Sequence, residues 1–154
     1  MKSIGIDSGA SFTRLWDGEH EIQKLRTPPI YEHYLQFLLN LLQEHGGIQN
    51  IAIALPALVD SQHIIKGANL NDSWKGKNIV SDIHSLIHIT GEIIIRQDVD
   101  ASGYAVQNWE LDNLEPTMLI TLSTGVGGAL ITRNSVLPLE IGHMVLNLSG
   151  KRLK

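Results

Sequence analysis

Two short, uninterrupted apolar runs, Ile51 to Leu55 and Ile93 to Ile95, each follow a stretch of helical spacing across a short turn. A strand that is apolar throughout has to be buried on both faces, and one reached through a helix runs parallel to its predecessor. These runs therefore predict an α/β layered domain with parallel strands at its centre. The residues before them read differently. Ile4 and Ile6 alternate with small or polar neighbours, Thr13 to Trp16 make a second strand, and Asp17-Gly18 is a tight-turn dipeptide before Glu21 to Arg26, so the chain opens with a three-stranded antiparallel meander. Thr27-Pro28-Pro29 stops that sheet, because proline cannot donate to a ladder.

Tyr31, Tyr34, Leu35, Leu38, Leu39 and Leu42 then follow helical spacing up to His45-Gly46-Gly47. His63 to Lys66 is a short strand, Ile79, Ile83, Leu86 and Ile87 predict a helix ending near Thr90-Gly91, and Asp98 to Glu110 a further helix. Met118 to Thr132 reads as two strands joined at Gly125 to Gly128. The order is β, β, β, α, β, α, β, α, followed by a new pair of strands. The polar connection from Asp112 to Pro116 marks a boundary between residues 1–112 and 113–154.

Composition excludes several functions. A chain of 154 residues buries roughly two thirds of the surface it exposes when unfolded, so no disulfide or structural metal is needed for folding. With no cysteine, thiol catalysis, iron–sulfur clusters and zinc fingers are excluded. The net charge is −4, and Lys24, Arg26, Lys75, Lys77 and Arg133 are scattered, with Lys151, Arg152 and Lys154 clustered only at the end, which argues against a nucleic-acid partner. No stretch approaches the ~20 apolar residues that span a membrane, and Asp7 interrupts the N-terminus before a signal-peptide core could form. The expected compartment is the cytoplasm, with no membrane partner.

Four places could carry chemistry. Asp7-Ser8-Gly9-Ala10-Ser11 lies between two strands, where small residues let backbone amides approach an anion and the carboxylate can hold a metal-bound water; an ordinary hairpin would look the same. Ser123-Thr124-Gly125-Val126-Gly127-Gly128, again between strands, suits phosphate oxygens or is simply a glycine hairpin. Gln97-Asp98 follows the buried strand Ile93 to Ile95, which puts a carboxylate at a strand's carboxyl end, where ligands bind in open α/β sheets; Asp98 serves equally well as a helix cap. Glu140 and His143 are spaced to hydrogen-bond neighbouring sugar hydroxyls, or are solvated side chains. Trp74 and Trp109 are expected to close core edges rather than stack on a ring.

The sequence order of these elements carries more than any one of them. Asp7-x-Gly9, Leu55-Pro56-Ala57-Leu58-Val59-Asp60, Ala68-Asn69-Leu70 with Trp74-x-Gly76, Asp98, Thr124-Gly125-Val126-Gly127-Gly128 and Glu140-Ile141-Gly142-His143 together resemble the ROK family of sugar kinases and sugar-responsive repressors, part of the actin and hexokinase superfamily. Gly9-Ala10 with Arg14, Pro56 to Val59 and Asp98-Val99 look most like the bacterial allose kinase branch, and Ser123 to Gly128 is similar to N-acetylmannosamine kinases. The resemblance implies a ribonuclease-H-like, actin-like ATPase domain with three antiparallel N-terminal strands, parallel later strands and helices on both faces, plus an incomplete second lobe. It implies an ATP-dependent kinase acting on a hexose or N-acylhexosamine hydroxyl. Asp98 would be the general base, and Asp7 would hold Mg2+ through water. Gly9, Ala10 and Ser11 would face the phosphates of ATP, with Thr124, Gly125, Gly127 and Gly128 as a second clamp. Asn69, Gln97, Glu140 and His143 would bind the sugar. Such chemistry asks a protein mostly for positioning, charge neutralisation and one base.

The sequence departs from the family pattern at several points. Ala10, Ser11 and Phe12 stand where the family carries a second glycine and a Thr-Lys pair, and Gln97 stands where it carries Asn. The cysteine-rich segment is missing, so no zinc is expected. The chain is about half a typical member, which makes a non-catalytic sugar-binding module or truncated remnant the alternative. A repressor role is disfavoured because the first strand starts at Ile4, leaving no room for an N-terminal DNA-binding helix-turn-helix. Leu119, Ile120, Leu130 and Ile131 are expected to lack a sheet of their own, and so to pack on the first domain, pair with another chain as a homodimer, or stay poorly ordered.

Overall fold

A computed structural model describes residues 2–60, 62–67, 70–109, 116–122, 126–139, 141, 146–148 and 151–153. The chain folds into two compact units, Met1–Asp98 and Val99–Lys154.

In the first unit the meander forms as the alternation predicts. β1 (Lys2–Ser8), β2 (Phe12–Trp16) and β3 (Glu21–Arg26) pair antiparallel. The Asp17 carboxylate closes the second turn by accepting from the backbone N–H groups of His20 (2.8 Å) and Glu19 (3.0 Å), which hold its pKa below the ordinary value. Then come α1 (Tyr31–His45), β4 (Ile48–Leu55), a ribbon of β5 (Leu58–Asp60) with β6 (His63–Lys66), a 3-10 turn at Asp72–Trp74, α2 (Ile79–Leu86) and β7 (Ile93–Gln97). β4 runs parallel to β1 and β7 parallel to β4, giving the sheet order β3-β2-β1-β4-β7. That mixed sheet is the ribonuclease-H-like arrangement the resemblance implies.

The register decides which face is buried. Ile6, Ile53 and Ile95 lie abreast, as do Ile4, Ile51 and Ile93, and all six are buried against Tyr34, Leu38, Leu41 and Leu42 of α1 and Ile79, Val80 and Ile83 of α2. Side chains alternate between faces along a strand. Asp7, Ala54 and Arg96 therefore lie abreast on the opposite face.

The helix ends are satisfied from outside the helices. The Tyr31 N–H at the start of α1 donates to Ser73 Oγ (3.0 Å), standing in for a capping side chain, which Ile30 does not provide. At its end, Gly46 and Gly47 adopt positive φ, and the Lys2 ammonium donates to the His45 and Gly46 carbonyls, a favourable place for a cation. Asn78 caps α2 by accepting from the Ser81 N–H (2.9 Å). Trp74 is a core residue, as its sequence context predicts: it is buried edge-on against Tyr31 (5.3 Å between centroids) and tilted on Tyr34 (4.5 Å), and its indole N–H donates to the Pro29 carbonyl.

α3 (Asp98–Trp109) starts on the last residue of the first unit and otherwise belongs to the second, where it is followed by a three-stranded antiparallel sheet of β8 (Thr117–Leu122), β9 (Val126–Ile131) and β10 (Val136–Leu139), and by the pair β11 (Leu146–Leu148) and β12 (Lys151–Leu153). The expectation that Leu119, Ile120, Leu130 and Ile131 lack a sheet of their own is corrected here, since all four lie in the β8–β9 pair. Ile131, Ala129 and Val136 form a small core with Val99, and Val106 and Leu119 pack against it. The strand that completes the sheet contains Pro138, which hides its strand character in the sequence and is tolerated because β10 lies at the edge. The other face leaves Met118, Ile120, Leu122, Val126 and Leu137 exposed. Among the described residues no helix is long and apolar enough to cross a membrane.

Leu38 is fully buried between α1 and the sheet. Leu38→Ala is expected to lower the unfolding free energy by about 2–5 kcal/mol, whereas Leu86→Ala, at a side chain 56% exposed, changes it by less than about 0.5 kcal/mol, both read from urea unfolding curves.

Candidate functional site

β1, β4 and β7 run the same way, so the segments that leave their carboxyl ends share one end of the sheet: Gly9 to Ser11 after β1, Pro56-Ala57 after β4 and Asp98 after β7. Asp7 pairs with Ala54, and Leu55 with Gln97, which brings the Gly9 turn and Asp98 to the lip of the same three strands. This is where an open α/β sheet binds ligands.

The Gly9 to Ser11 turn is held from below. The Gly9 N–H donates to the Phe12 carbonyl (3.0 Å) and the Thr27 N–H to the Ser11 carbonyl (3.1 Å), while Thr27 Oγ1 donates to the Gly9 carbonyl (2.7 Å). Beneath Thr27 runs a buried line of hydroxyls. Thr13 Oγ1 stands 3.0 Å from Thr27 Oγ1 and 3.3 Å from Ser8 Oγ, and Ser8 Oγ is 2.6 Å from the Tyr34 hydroxyl. Thr27 gives its proton to Gly9, so Thr13 is the donor shared between Thr27 and, at the longer distance, Ser8, while Ser8 and the Tyr34 hydroxyl hydrogen-bond each other. These hydrogen bonds fasten the turn to the centre of α1. The amides of Ala10 and Ser11 have no protein partner among the described residues, and both residues are exposed, as an anion-binding turn requires.

Asp7, half-buried on the face opposite the core, accepts from Arg14 across the β1–β2 pair (3.0 Å), and Arg14 also reaches Glu21 (3.4 Å). The pair is partly exposed, so it contributes little to stability and serves to orient the carboxylate. Asp7 Oδ1 has no protein partner among the described residues. One open carboxylate oxygen beside a turn with two open amides fits magnesium, which takes one or two carboxylates together with phosphates and retains several waters. No group of three or more His, Asp or Glu side chains able to hold a metal on their own occurs among the described residues.

The other sequence candidates divide. Gln97 ends β7, half-buried, and Asp98 opens α3. Gly127 and Gly128 lie within β9, paired with Thr121 and Ile120, rather than in the turn. Close packing accounts for both: a Cβ on Gly127 would lie 2.3 Å from Val99, and one on Gly128 2.6 Å from Ile141. Asn69, Thr124, Gly125, Glu140 and His143 fall outside the described residues.

The sequence matches the ROK family over residues 4–152. The chain belongs to that family. A curated relative, the polyphosphate glucokinase of Mycobacterium leprae, is 30% identical over 117 residues, which is 74% of this chain and 35% of that protein; the polyphosphate glucokinase of Mycobacterium tuberculosis is 30% identical over 105 residues, 66% and 38%. The chain thus spans little more than a third of the length of these relatives. Among solved structures, the inorganic polyphosphate/ATP-glucomannokinase of Arthrobacter sp. strain KM shares the fold with a TM-score of 0.79 at 21% identity, covering 97% of this chain and 65% of that one. A ROK family glucokinase from Streptomyces griseus, solved with glucose and AMPPNP, gives 0.74 at 19% identity, covering 88% and 46%.

Sequence reasoning missed the hydroxyl line and the Arg14 partner of Asp7. A signal was present: Ser8 and Thr13 occupy inward positions of strands whose other inward residues are Ile4, Ile6 and Leu15.

Two outcomes follow from this bracing. Thr27→Val, which leaves the Gly9 carbonyl without its donor, is expected to cost about 1–3 kcal/mol in chemical unfolding. Burial pushes the Tyr34 hydroxyl well above its ordinary pKa, the nearby Asp7 charge adding to the shift and the Ser8 hydrogen bond opposing it. The unfolded chain ionises tyrosine near pH 10, so the folded state keeps this contribution below about pH 10 and loses it as the pH rises beyond. Tyr34→Phe is expected to flatten the alkaline fall in melting temperature between pH 9 and 11, by roughly the ionisation of one tyrosine.

Proposed function

We propose that this chain supplies the phosphate-binding and base-bearing half of a ROK-type sugar kinase. The observation that carries the reading is the common end of β1, β4 and β7, which sets the Gly9 to Ser11 turn and Asp98 on one lip of the sheet. Asp98 takes the proton of the attacking sugar hydroxyl, so that the oxygen can displace the terminal phosphoryl group from its donor. The amides of Ala10 and Ser11 meet charge on the transferring phosphate, and Thr27 with its hydroxyl line holds them still while that charge develops. Magnesium, held through water by Asp7, would neutralise donor phosphates when bound.

The family resemblance extends the proposal to Gln97, Asn69, Glu140 and His143 as partners of sugar hydroxyls, and to Thr124, Gly125, Gly127 and Gly128 at the phosphates. The substrate is a hexose or N-acylhexosamine. Its donor is ATP, as the Arthrobacter and Streptomyces proteins suggest, or inorganic polyphosphate, for which the mycobacterial relatives are named. The chain's short coverage of its relatives favours a second reading, a sugar-binding half without turnover of its own.

Magnesium- and sugar-dependent ATP turnover by the full chain is the test. Asp98→Asn is expected to lower turnover by about 10²–10⁴-fold while sugar affinity by calorimetry changes little. Sugar binding without any turnover in the parent chain would favour the second reading, and binding of neither sugar nor ATP would remove the kinase assignment.

A further inference from the structure

Lys24 and Arg26 are separated in sequence by Leu25, yet strand alternation puts them on one face, and the register puts that face on the side of Asp7: Arg14 pairs with Lys24 and with Asp7, and Phe12 pairs with Arg26. The two cations flank the Phe12 ring, the Lys24 ammonium 4.9 Å and the Arg26 guanidinium 4.9 Å from its centroid. The ring holds both side chains by their attraction to its face while their heads remain in solvent. Neither has a carboxylate partner among the described residues, in contrast to Arg14, which is occupied by Asp7 and Glu21.

Their place relative to the turn gives them a use. Phe12 directly follows Ser11, and Arg26 directly precedes Thr27, whose N–H and hydroxyl hold the Ser11 and Gly9 carbonyls. β3 is the edge of the five-stranded sheet. The path from the free amides of Ala10 and Ser11 over Phe12 to Arg26 and Lys24 therefore leaves the turn and runs off the open edge, about 10 Å from β1 at two strand spacings. A ligand that fits has negative charge repeating along its length and a far end in solvent.

We propose that Lys24 and Arg26, seated on Phe12, form a track for a linear inorganic polyphosphate whose terminal phosphoryl group sits at the Gly9 to Ser11 turn. The inference rests on the phosphoryl-donor reading above and specifies its donor class. The track binds internal phosphates, so it favours long chains over short ones and does so through salt-sensitive contacts.

The test compares binding of long-chain polyphosphate and of tripolyphosphate to the full chain, by calorimetry over a range of salt concentrations. The Lys24→Gln/Arg26→Gln double variant is expected to lower the ratio of long-chain to tripolyphosphate affinity by tenfold or more, and to reduce the salt slope for the long chain by about two. Lys24→Glu alone, at an exposed position that leaves folding intact by circular dichroism, is expected to lower the same ratio several-fold. An unchanged ratio in the double variant overturns the track. If tripolyphosphate binds and long chains gain nothing, the track alone is overturned; if neither tripolyphosphate nor ATP binds, the donor site itself fails as well.

Discussion

The architecture of the site depends on one buried line of hydroxyl groups, running from Tyr34 on α1 through Ser8 and Thr13 to Thr27 and ending on the Gly9 carbonyl. Polar groups in a core are costly unless every one is satisfied, and a satisfied network fixes geometry more tightly than apolar contacts do. Here the network joins a buried tyrosine of α1 to the turn that follows β1. It turns carbonyls of Gly9 and Ser11 inward and leaves amides of Ala10 and Ser11 outward, so a segment with no regular structure of its own inherits the rigidity of the sheet. The Asp7–Arg14 pair plays the corresponding part on the other face, orienting a carboxylate without burying it.

Much of the fold is legible in the sequence because periodicity is a local property. The alternation at Ile4 and Ile6, the helical spacing from Tyr31 to Leu42 and the apolar runs at Ile51 and Ile93 each announce an element that the structure contains. Which residues lie abreast is a property of the register, and register is set between segments far apart in the chain. That is why Lys24 and Arg26 read as scattered charges until β2 and β3 are paired, and why the Arg14 partner of Asp7 goes unseen. The glycines at positions 127 and 128 show the same limit: their local pattern places them in the joining turn, but pairing puts them in a strand, where Val99 and Ile141 approach too closely for a side chain.

The two units differ in how completely they close. The first buries inward residues of β1, β2, β4, β6 and β7 and of two helices in one continuous core. Among the described residues the second has a core of four buried side chains, and one face of its sheet keeps Met118, Ile120, Leu122 and Leu137 exposed to solvent. An apolar face of this kind is ordinarily covered in a stable domain. The family match runs to residue 152, and the mycobacterial relatives are nearly three times as long as the matched segment.

The packing of Trp74 has an optical consequence. Its indole lies against Tyr34, whose hydroxyl is the inner end of the line that fixes the turn, and against Tyr31, whose hydroxyl donates to Asp82 at 2.6 Å. Tyr34 thus sets this buried fluorophore beside the inner end of the hydroxyl line that holds the Gly9 to Ser11 turn, so the indole's emission reports on packing at that inner end.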